Sequence, residues 1–470
     1  MDKGEYFRDL EVLQQNLSGD HKKYFGQTML NIYFSLIGKG DSKINTQNNY
    51  KQVLYKAFKL IHTKLIIKKY KSTDLIVWVA EANHLTQQVP ITEILRSKGI
   101  KITYISYKKN LLNDSRLNGY EKVWVPLPSR GGASDKLQKK CRGEIAKAIS
   151  IGAYQHITEA DTDAIADSYS AQVSFAGKLN QYFEKLLQVL KPKAAMIGYD
   201  VPAEGRTLTD VLNSKNIPTI MVQHGAIAKV DGVFGIHIAK KILVFGEISE
   251  QVLKNSGCKS EIFITGAPYL DELVKKLNTA GSKAQGKIKI LVAFSGPGHL
   301  TTESHHRASV ELVVEAAEKF KENVEFYFKL HPKDNRSYYV TAIRDKNLTN
   351  VHFNLPHTQS NDIFDWALFA DIMLTGASTV AVEAMLCRKP VISLDLTGDY
   401  KELSFVKDGA VKLITNGIDL EALIEQIGQQ DFQAFDASSH KAAQYVKQFY
   451  GPTDGQATQR CAQLVGLSLN

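Results

Sequence analysis

The sequence predicts two α/β domains, each with a doubly wound parallel sheet, behind a mainly helical N-terminal extension. The chain has 470 residues, more than one hydrophobic core usually holds. Short apolar runs alternate along it with amphipathic segments of helical length, a pattern typical of parallel sheets. A polar stretch rich in small residues near position 280 divides this alternation into two series.

These features set the predicted boundaries. The helical extension covers residues 1–72, the first α/β domain 73–277, the linker 278–287, the second α/β domain 288–440 and a C-terminal helical tail 441–470. The first domain begins with a βαβ unit whose strands lie at 75–79 and 102–105. Its other strands are predicted at 122–125, 194–197, 219–222, 242–245 and 262–264, and those of the second domain at 288–294, 324–328, 372–374 and 391–394.

Composition limits the class of protein. The chain is 44% hydrophobic and 23% charged, as in ordinary globular proteins. The first 17 residues lack the apolar core of a signal peptide, and no apolar run approaches the ~18 residues of a membrane span. We therefore expect a cytoplasmic protein. Its cysteines are too scattered for a zinc site or a disulfide scaffold: Cys141, Cys258, Cys387 and Cys461.

The net charge of +9 is partly concentrated in residues 51–71, which contain seven lysines and no acidic residue. Apolar residues recur there at helical spacing, so the segment is predicted to be a basic amphipathic helix. One interpretation is peripheral contact with an anionic membrane, at the inner face of the membrane. The other is a surface helix packed on its own domain. A nucleic-acid partner is not expected, because no nucleic-acid-binding module is recognisable.

Residues able to bind a phosphate follow the first strand of the second domain. Ser295 offers a hydroxyl donor, and Gly296 lets the backbone approach an anion. Because ligands of open parallel sheets bind beyond the carboxyl ends of the strands, this is the expected edge for a site. His305 and His306 are predicted in the following loop, either as cationic donors or as solvated side chains.

A second candidate segment follows the next strand of this domain. Lys329, His331 and Lys333 flank Pro332, which cannot continue the strand. An imidazole here could donate to a donor phosphate and stabilise the charge that develops on a leaving nucleotide. The alternative is a histidine bonded to a backbone carbonyl.

A third candidate segment lies at the end of the strand 372–374. Thr375, Ser378 and Thr379 place hydroxyls at a predicted helix start, where free amides favour an anion. Either of the last two residues could instead be a plain helix cap. Glu383 lies one turn into the helix, where it could accept a hydrogen bond from a ribose or sugar hydroxyl or remain solvated.

The first domain offers two candidates for a general base. His224 lies at the end of a strand and is followed by a glycine, which suits a base that acts on an acceptor hydroxyl. Glu204 follows the preceding strand and is the rival. The residues alone do not decide between them.

Together, these segments resemble the GT-B glycosyltransferases. The nearest groups are the CDP-glycerol glycerophosphotransferases and the bacterial capsule polymerases, including the polysialyltransferases. The resemblance covers residues 194–460. The matching motifs occur in the expected order: Gln223-His224-Gly225, residues 265–271, His331-Pro332, Ser378-Thr379 and residues 454–460.

The resemblance implies two Rossmann-like domains facing across a cleft, and an inverting transfer that needs neither a metal nor a cofactor. The second domain would hold a nucleotide-activated sugar donor, CMP- or CDP-linked rather than UDP-linked, and the acceptor would be a hydroxyl of a bacterial surface glycan. His224 matches the base of the glycerophosphotransferases, and Glu204 the acidic base of the polysialyltransferases. His331 matches the histidine associated with the nucleotide phosphate. Gln223 and Thr379 depart from the glycerophosphotransferase pattern, which favours a sugar donor over a polyol phosphate.

Besides transfer of a sugar or of a polyol phosphate, two other functions stay open. Hydrolysing UDP-N-acetylglucosamine 2-epimerases share the two-domain fold and a Thr-Gly-x-x-x-x-Asp stretch, and His306-Arg307 resembles their His-Arg pair. Those enzymes carry a His-x-Glu-x-Gly element, however, where this chain has Gln223-His224-Gly225-Ala226. A non-catalytic protein that binds nucleotide sugars is the remaining alternative.

Overall fold

The structure is a computed structural model. It describes residues 3–17, 29, 71–128, 133–152, 154, 156–227, 235–279, 286–297, 301–331, 334–344, 346, 348–356, 358, 360 and 362–469. Residues 51–70 of the basic segment 51–71, most of the rest of the N-terminal extension and residues 280–285 of the predicted linker lie outside these ranges. In the described part, no helix is both long and apolar enough to cross a bilayer.

The first sheet contains seven strands: β1 (Leu75–Trp78), β2 (Ile102–Ser106), β3 (Glu121–Trp124), β4 (Ala194–Ile197), β5 (Thr219–Val222), β6 (Lys241–Val244) and β7 (Glu261–Ile264). All neighbours are parallel, and the order is β3-β2-β1-β4-β5-β6-β7. Strand order reverses between β1 and β4, where Leu75 pairs with both Ile102 and Ala194. Ligands of doubly wound sheets commonly bind at such a reversal.

The second sheet contains six strands: β8 (Ile288–Val292), β9 (Val324–Phe328), β10 (Val351–His352), β11 (Ile372–Thr375), β12 (Val391–Leu394) and β13 (Lys412–Ile414). It is also wholly parallel, in the order β10-β9-β8-β11-β12-β13. The predicted fold class, two parallel-sheet α/β domains, is therefore confirmed. The edge strands β10 and β13 were not predicted.

Helices alternate with the strands in both domains. They are α1 (Lys3–Asn16), α2 (Ala82–Ser97), α3 (Lys109–Leu112), α4 (Asp135–Ile151), α5 (Thr162–Leu190), α6 (Ala203–Ser214), α7 (Glu247–Asn255), α8 (Asp271–Thr279), α9 (Glu303–Lys319), α10 (Arg336–Ile343), α11 (Ile363–Phe369), α12 (Val380–Leu386), α13 (Ser404–Lys407), α14 (Gly417–Gly428), α15 (Asp436–Tyr450) and α16 (Ala457–Leu467).

The connection from β3 to β4 is a helical insertion with a core of its own. Ser134 caps α4 by accepting a hydrogen bond from Leu137 N at 3.4 Å. The 29-residue α5 ends at Lys191, which adopts the left-handed conformation with φ 44°. Apolar residues of α1, α4 and α5 pack together in a separate core cluster: Leu10, Leu13, Cys141, Ile145, Ile165 and Tyr169.

The chain divides into two compact units. Residues up to Asp271 form the first unit together with those from Gln456 onward, and Glu272–Gly455 form the second. The predicted tail 441–470 is therefore split, because α15 belongs to the second unit and α16 to the first. In the second unit, Ile290, Val292, Phe326, Leu374 and Ile392 form the centre of the core and have almost no exposed surface.

Candidate functional site

A small pocket lies beyond the carboxyl ends of the central strands of the second sheet. Gly296 follows β8 with φ +74°, a conformation that favours glycine, and a Cβ at this position would lie 3.5 Å from the Asp334 carboxyl carbon. Thr301 Oγ1 and Tyr400 OH share a hydrogen bond of 2.5 Å at the pocket. The lining includes Ser295, Gly296, Thr301, His306, Gly376 and Tyr400.

Lys329 and Glu383, from different elements, interact in the same domain. Burial lowers the pKa of Lys329, while the charges of Asp362 and Glu383 act in the opposite direction. Its Nζ lies 5.8 Å from the centroid of the Trp366 ring. The structure thus brings together two of the predicted donor-binding residues, although they are 54 positions apart in the numbering (383 minus 329).

Glu383 is half-buried on α12. Burial raises the pKa of its carboxyl to about 7, the charge of Asp362 adds to the effect, and Lys329 opposes it. A carboxyl with this pKa is partly protonated at neutral pH, so it can both donate and accept a hydrogen bond.

The other predicted donor-binding residues have different surroundings. His331 is exposed at the end of β9, and Lys333 lies outside the described residues. Ser378 Oγ is 3.5 Å from Val380 N, a long local contact. Thr379 is exposed and makes no capping bond to α12, which has only seven residues.

Thr375 requires a correction. It is fully buried, and its hydroxyl donates to the Ala293 carbonyl at 2.6 Å. This bond links the end of β11 to the end of β8 and uses the only proton of the hydroxyl. Thr375 therefore supports the strand ends from inside the core and has no hydroxyl donor left for a phosphate.

A second correction concerns the histidines after Ser295. Helix α9 begins at Glu303, so His305 and His306 lie in its first turns and not in a loop. His306 is only 2% exposed, and its Nε2 bonds to Asp334 Oδ1 at 3.0 Å. It is therefore a buried member of the pocket lining and not a solvated loop residue.

In the first unit, His224 lies directly after β5. Burial lowers the pKa of its imidazole to about 4, with a further contribution from His237, so the ring is uncharged at neutral pH. Its Nδ1 has no hydrogen-bond partner within the described residues. The rings of His84 and Tyr199 contact it edge-on, with centroids at 4.4 and 5.0 Å.

Glu204, the rival base, lies in the first turn of α6 and is 5% exposed. Burial raises the pKa of the nearby Tyr107 hydroxyl, and the charge of Glu204 adds to that effect. Both candidate bases thus follow neighbouring strands, β4 and β5, as the sequence predicted, and Glu204 is the more buried of the two.

Sequence reasoning missed a buried pair beside these residues. His237 Nδ1 bonds to Asp200 Oδ1 at 2.5 Å, and Asp200 Oδ2 accepts from Ile238 N and Ala239 N, both at 2.7 Å. Burial alone would raise the pKa of Asp200, but His237 and these bonds lower it to about 2. The two residues are 37 positions apart, and nothing in their local sequence indicates the pairing.

Comparison with known proteins found one match to a family model. Residues 236–466 match the family model of UDP-N-acetylglucosamine 2-epimerase. The matched region contains strands β6 to β13, and so the whole second sheet. Among curated protein sequences, no significant match was found.

Solved structures with a similar fold include nucleotide-sugar enzymes. The S. aureus MnaA–UDP structure has a TM-score of 0.51 at 14% identity, over 85% of this chain and 98% of its own. A UDP-N-acetylglucosamine 2-epimerase has a TM-score of 0.52 at 16% identity, over 84% and 96%. MurG from Acinetobacter baumannii is also similar, with a TM-score of 0.48 at 13% identity, over 84% and 99%.

The two structures with TM-scores above 0.5 support the observed α/β fold. They support neither of the nearest groups indicated by the sequence, because the matching family is that of the epimerases and not the glycerophosphotransferases or the polysialyltransferases.

Proposed function

We propose that this chain is a nucleotide-sugar enzyme whose second domain binds a UDP-linked N-acetylhexosamine. The observation that carries the proposal is the epimerase family match of residues 236–466, because it spans every strand of the second sheet. Since that family is defined by a UDP-linked sugar, the expected preference for a CMP- or CDP-linked donor has no support.

The proposed donor contacts combine cations, hydroxyls and one carboxyl beyond the strand ends. Lys329 and His331 would neutralise the diphosphate, and Ser295, Ser378 and Thr379 would donate hydrogen bonds to it from their hydroxyls, with Gly296 allowing close approach of the backbone. Glu383 would bind a ribose or sugar hydroxyl, for which its partly protonated carboxyl is suited. A contribution from Lys333 stays a prediction from the sequence.

For the reaction we favour hydrolytic 2-epimerisation, in which the C1–O bond to UDP breaks, water supplies the new C1 hydroxyl, and UDP and free N-acetylmannosamine are released. The family match favours it over transfer. The match begins at residue 236, so it does not include Gln223-His224-Gly225, the segment that differs from the epimerase element. The fate of the sugar would therefore depend on first-domain residues specific to this chain, chiefly His224 and Glu204.

Glycosyl transfer to a glycan hydroxyl is the second candidate, and His224 is the observation that favours it. Its imidazole is uncharged at neutral pH, so one ring nitrogen is unprotonated and could accept a proton from an acceptor hydroxyl. Glu204 is the alternative base for this reaction.

One experiment separates the two reactions. The purified full-length protein is incubated with UDP-N-acetylglucosamine and followed by proton and phosphorus NMR. Epimerisation gives UDP and N-acetylmannosamine without an acceptor, whereas transfer gives UDP only when an acceptor glycan is present. In either case we expect His224→Gln to reduce kcat on the order of a hundredfold, the scale of losing a general base.

A matched control is His156→Gln, since His156 lies in the helical insertion and not at a strand end. Thermal-shift measurements with UDP, CDP, CMP and GDP test donor choice independently. Stabilisation by CMP or CDP but not by UDP would contradict the proposed donor.

A further inference from the structure

Helix α4, in the helical insertion, carries a row of lysines on its exposed face. At about 100° of rotation per residue, four lysines fall within an arc of about 100° and extend over about 16 Å of the helix. The arc also contains Gly143 and Ser150. The four lysines are all exposed and form the lysine stripe: Lys136, Lys139, Lys140 and Lys147. The opposite face of α4 packs into the core of the insertion through Cys141, Ile145 and Ala148.

Little of this positive charge is neutralised by the protein. Glu144, one turn further along the helix, has its Oε1 3.9 Å from Lys140 Nζ, a long contact. Arg142, outside the arc, binds Asp163 at 2.8 Å and so takes up that carboxylate. In the part of the chain that the structure describes, the other three lysines of the stripe form no ion pair. The lysine stripe is therefore a fixed line of positive charge that faces solvent.

The composition of this face indicates the kind of partner. Ammonium groups interact with phosphates as point charges and need no particular orientation. Arginine forks and aromatic rings, which recognise bases and sugar rings, are absent from the arc on α4. Ile151 lies at the end of the same face and is 63% exposed. A convex basic face with an apolar residue at one end matches a layer of anionic lipid headgroups over apolar chains.

The core of the insertion extends to the strand ends of the first unit. Its buried cluster includes Val201, which follows β4, and Tyr199 and Ile236 pack against that cluster. The ring of Tyr199 also contacts the His224 ring, with centroids 5.0 Å apart. A surface bound to α4 is therefore connected through packed side chains to the candidate base.

We propose that the lysine stripe docks this protein on a membrane surface that contains anionic phospholipids, with Ile151 entering the headgroup region. The contact is separate from the basic segment 51–71, and it does not depend on which sugar reaction the protein performs. Each lysine held near an anionic membrane strengthens binding about fivefold. Four lysines therefore give an effect on the order of 100-fold after the contact of Lys140 with Glu144 is allowed for.

Co-sedimentation of the full-length protein with lipid vesicles tests the docking. Vesicles of phosphatidylcholine alone are compared with vesicles that also contain phosphatidylglycerol. We expect binding to the anionic vesicles only, and weaker binding at high salt because exposed charges are screened. The α4 quadruple variant, Lys136→Gln, Lys139→Gln, Lys140→Gln and Lys147→Gln, should bind them on the order of 100-fold more weakly. Ile151→Ser should bind them about tenfold more weakly.

The matched control removes the same charge from the amino-terminal edge of the first sheet. Its four substitutions replace exposed lysines that precede β2, β6 and β7: Lys98→Gln, Lys101→Gln, Lys240→Gln and Lys259→Gln. We expect this control to bind vesicles almost as the wild type does. Both quadruple variants should keep the Tm of the wild type and its turnover of UDP-N-acetylglucosamine without vesicles. Failure of the docking is therefore distinguishable from failure of the proposed function.

Three results would overturn the proposal. They are a wild-type protein that does not bind anionic vesicles at low salt, an α4 quadruple variant that binds them as the wild type does, and equal weakening in the two quadruple variants. Heparin serves as a soluble polyanion in a parallel assay. If heparin binding depends on the lysine stripe and vesicle binding does not, the partner is a soluble polyanion and the membrane contact is wrong.

Discussion

At the scale of single residues, neighbours rather than residue type decide the chemistry. Glu383 and Lys329 have opposite charges, yet burial shifts the pKa of both toward the neutral form. The charge of Asp362 raises the pKa of both groups, which favours the neutral carboxyl of Glu383 and the charged ammonium of Lys329. The second domain thus contains a carboxyl whose pKa is raised by burial to about 7.

This gives a prediction on stability. Because the pKa of Glu383 is raised from 4.5 to about 7, the folded protein binds more protons than the unfolded chain between these values. The free energy of unfolding contributed by Glu383 therefore falls as pH rises through this window. Glu383→Gln should remove that fall. The free energy of unfolding of the variant, relative to that of the wild type, should therefore increase by on the order of 1 kcal/mol between about pH 5 and pH 8, after allowance for solvent screening of a half-buried group.

Denaturant unfolding at several pH values measures this difference. The control is Glu425→Gln, an exposed glutamate on α14 of the same domain, which should show no pH-dependent gain. A difference between Glu383→Gln and wild type that does not change with pH would contradict the prediction.

At the scale of elements, a contact between helix α2 and the end of strand β4 holds the strand ends of the first domain in place. His84, in the first turn of α2, accepts a hydrogen bond from Ala80 N through Nδ1 at 3.1 Å. Burial lowers the pKa of this imidazole to about 3, so the ring is neutral and its proton is on Nε2. Gly198, directly after β4, leaves the space that the ring occupies.

We therefore predict that Gly198→Ala destabilises the protein by about 1–3 kcal/mol, the range for overpacking. The added Cβ would lie 2.1 Å from His84 Nδ1, so the ring must move, and the His224 ring 4.4 Å away moves with it. Gly225→Ala is the matched control after the next strand, because its Cβ would meet no atom within 4 Å. Equal thermal stability of the two variants would show that the predicted clash is relieved without cost.

At the scale of the whole molecule, the last helix belongs to the first unit. Asp271 accepts hydrogen bonds from Ala457 N at 3.0 Å and Thr458 N at 2.8 Å, and so caps α16 from almost two hundred residues away in the chain (|i−j| of 186 and 187). The buried face of α16 packs on α2 with Cys461, Ala462, Val465, Leu85 and Val89 in one core.

Loss of this cap should weaken the first unit. Asp271→Ala leaves two amides at the start of α16 without a partner, and we expect a loss of about 1–2 kcal/mol, or a few degrees in Tm. Glu272→Ala is the control, since the adjacent Glu272 is 79% exposed and forms a surface ion pair with Lys275 on its own helix. Circular dichroism measures both, and an unchanged Tm for Asp271→Ala would show that the cap does not stabilise the unit.

The sequence determined most of the strands. The predicted bounds of β4, β5, β9 and β12 agree with the structure to the residue, because strands covered on both faces are continuous apolar runs. The edge strands β10 and β13 were missed, since they have only two and three residues and are largely half-exposed. The sequence also placed candidate site residues at strand ends, where a parallel sheet brings them together.

Only the tertiary structure decided which of these side chains are available to a ligand. Thr375 and His306 illustrate this, because their partners Ala293 and Asp334 lie 82 and 28 residues away in the chain. One bond takes up the only hydroxyl proton of a predicted donor, and the other holds a buried histidine of the pocket lining. Burial and hydrogen-bond partners depend on contacts between distant segments, so local pattern predicts the strand that carries a residue but not the protons that the residue can offer.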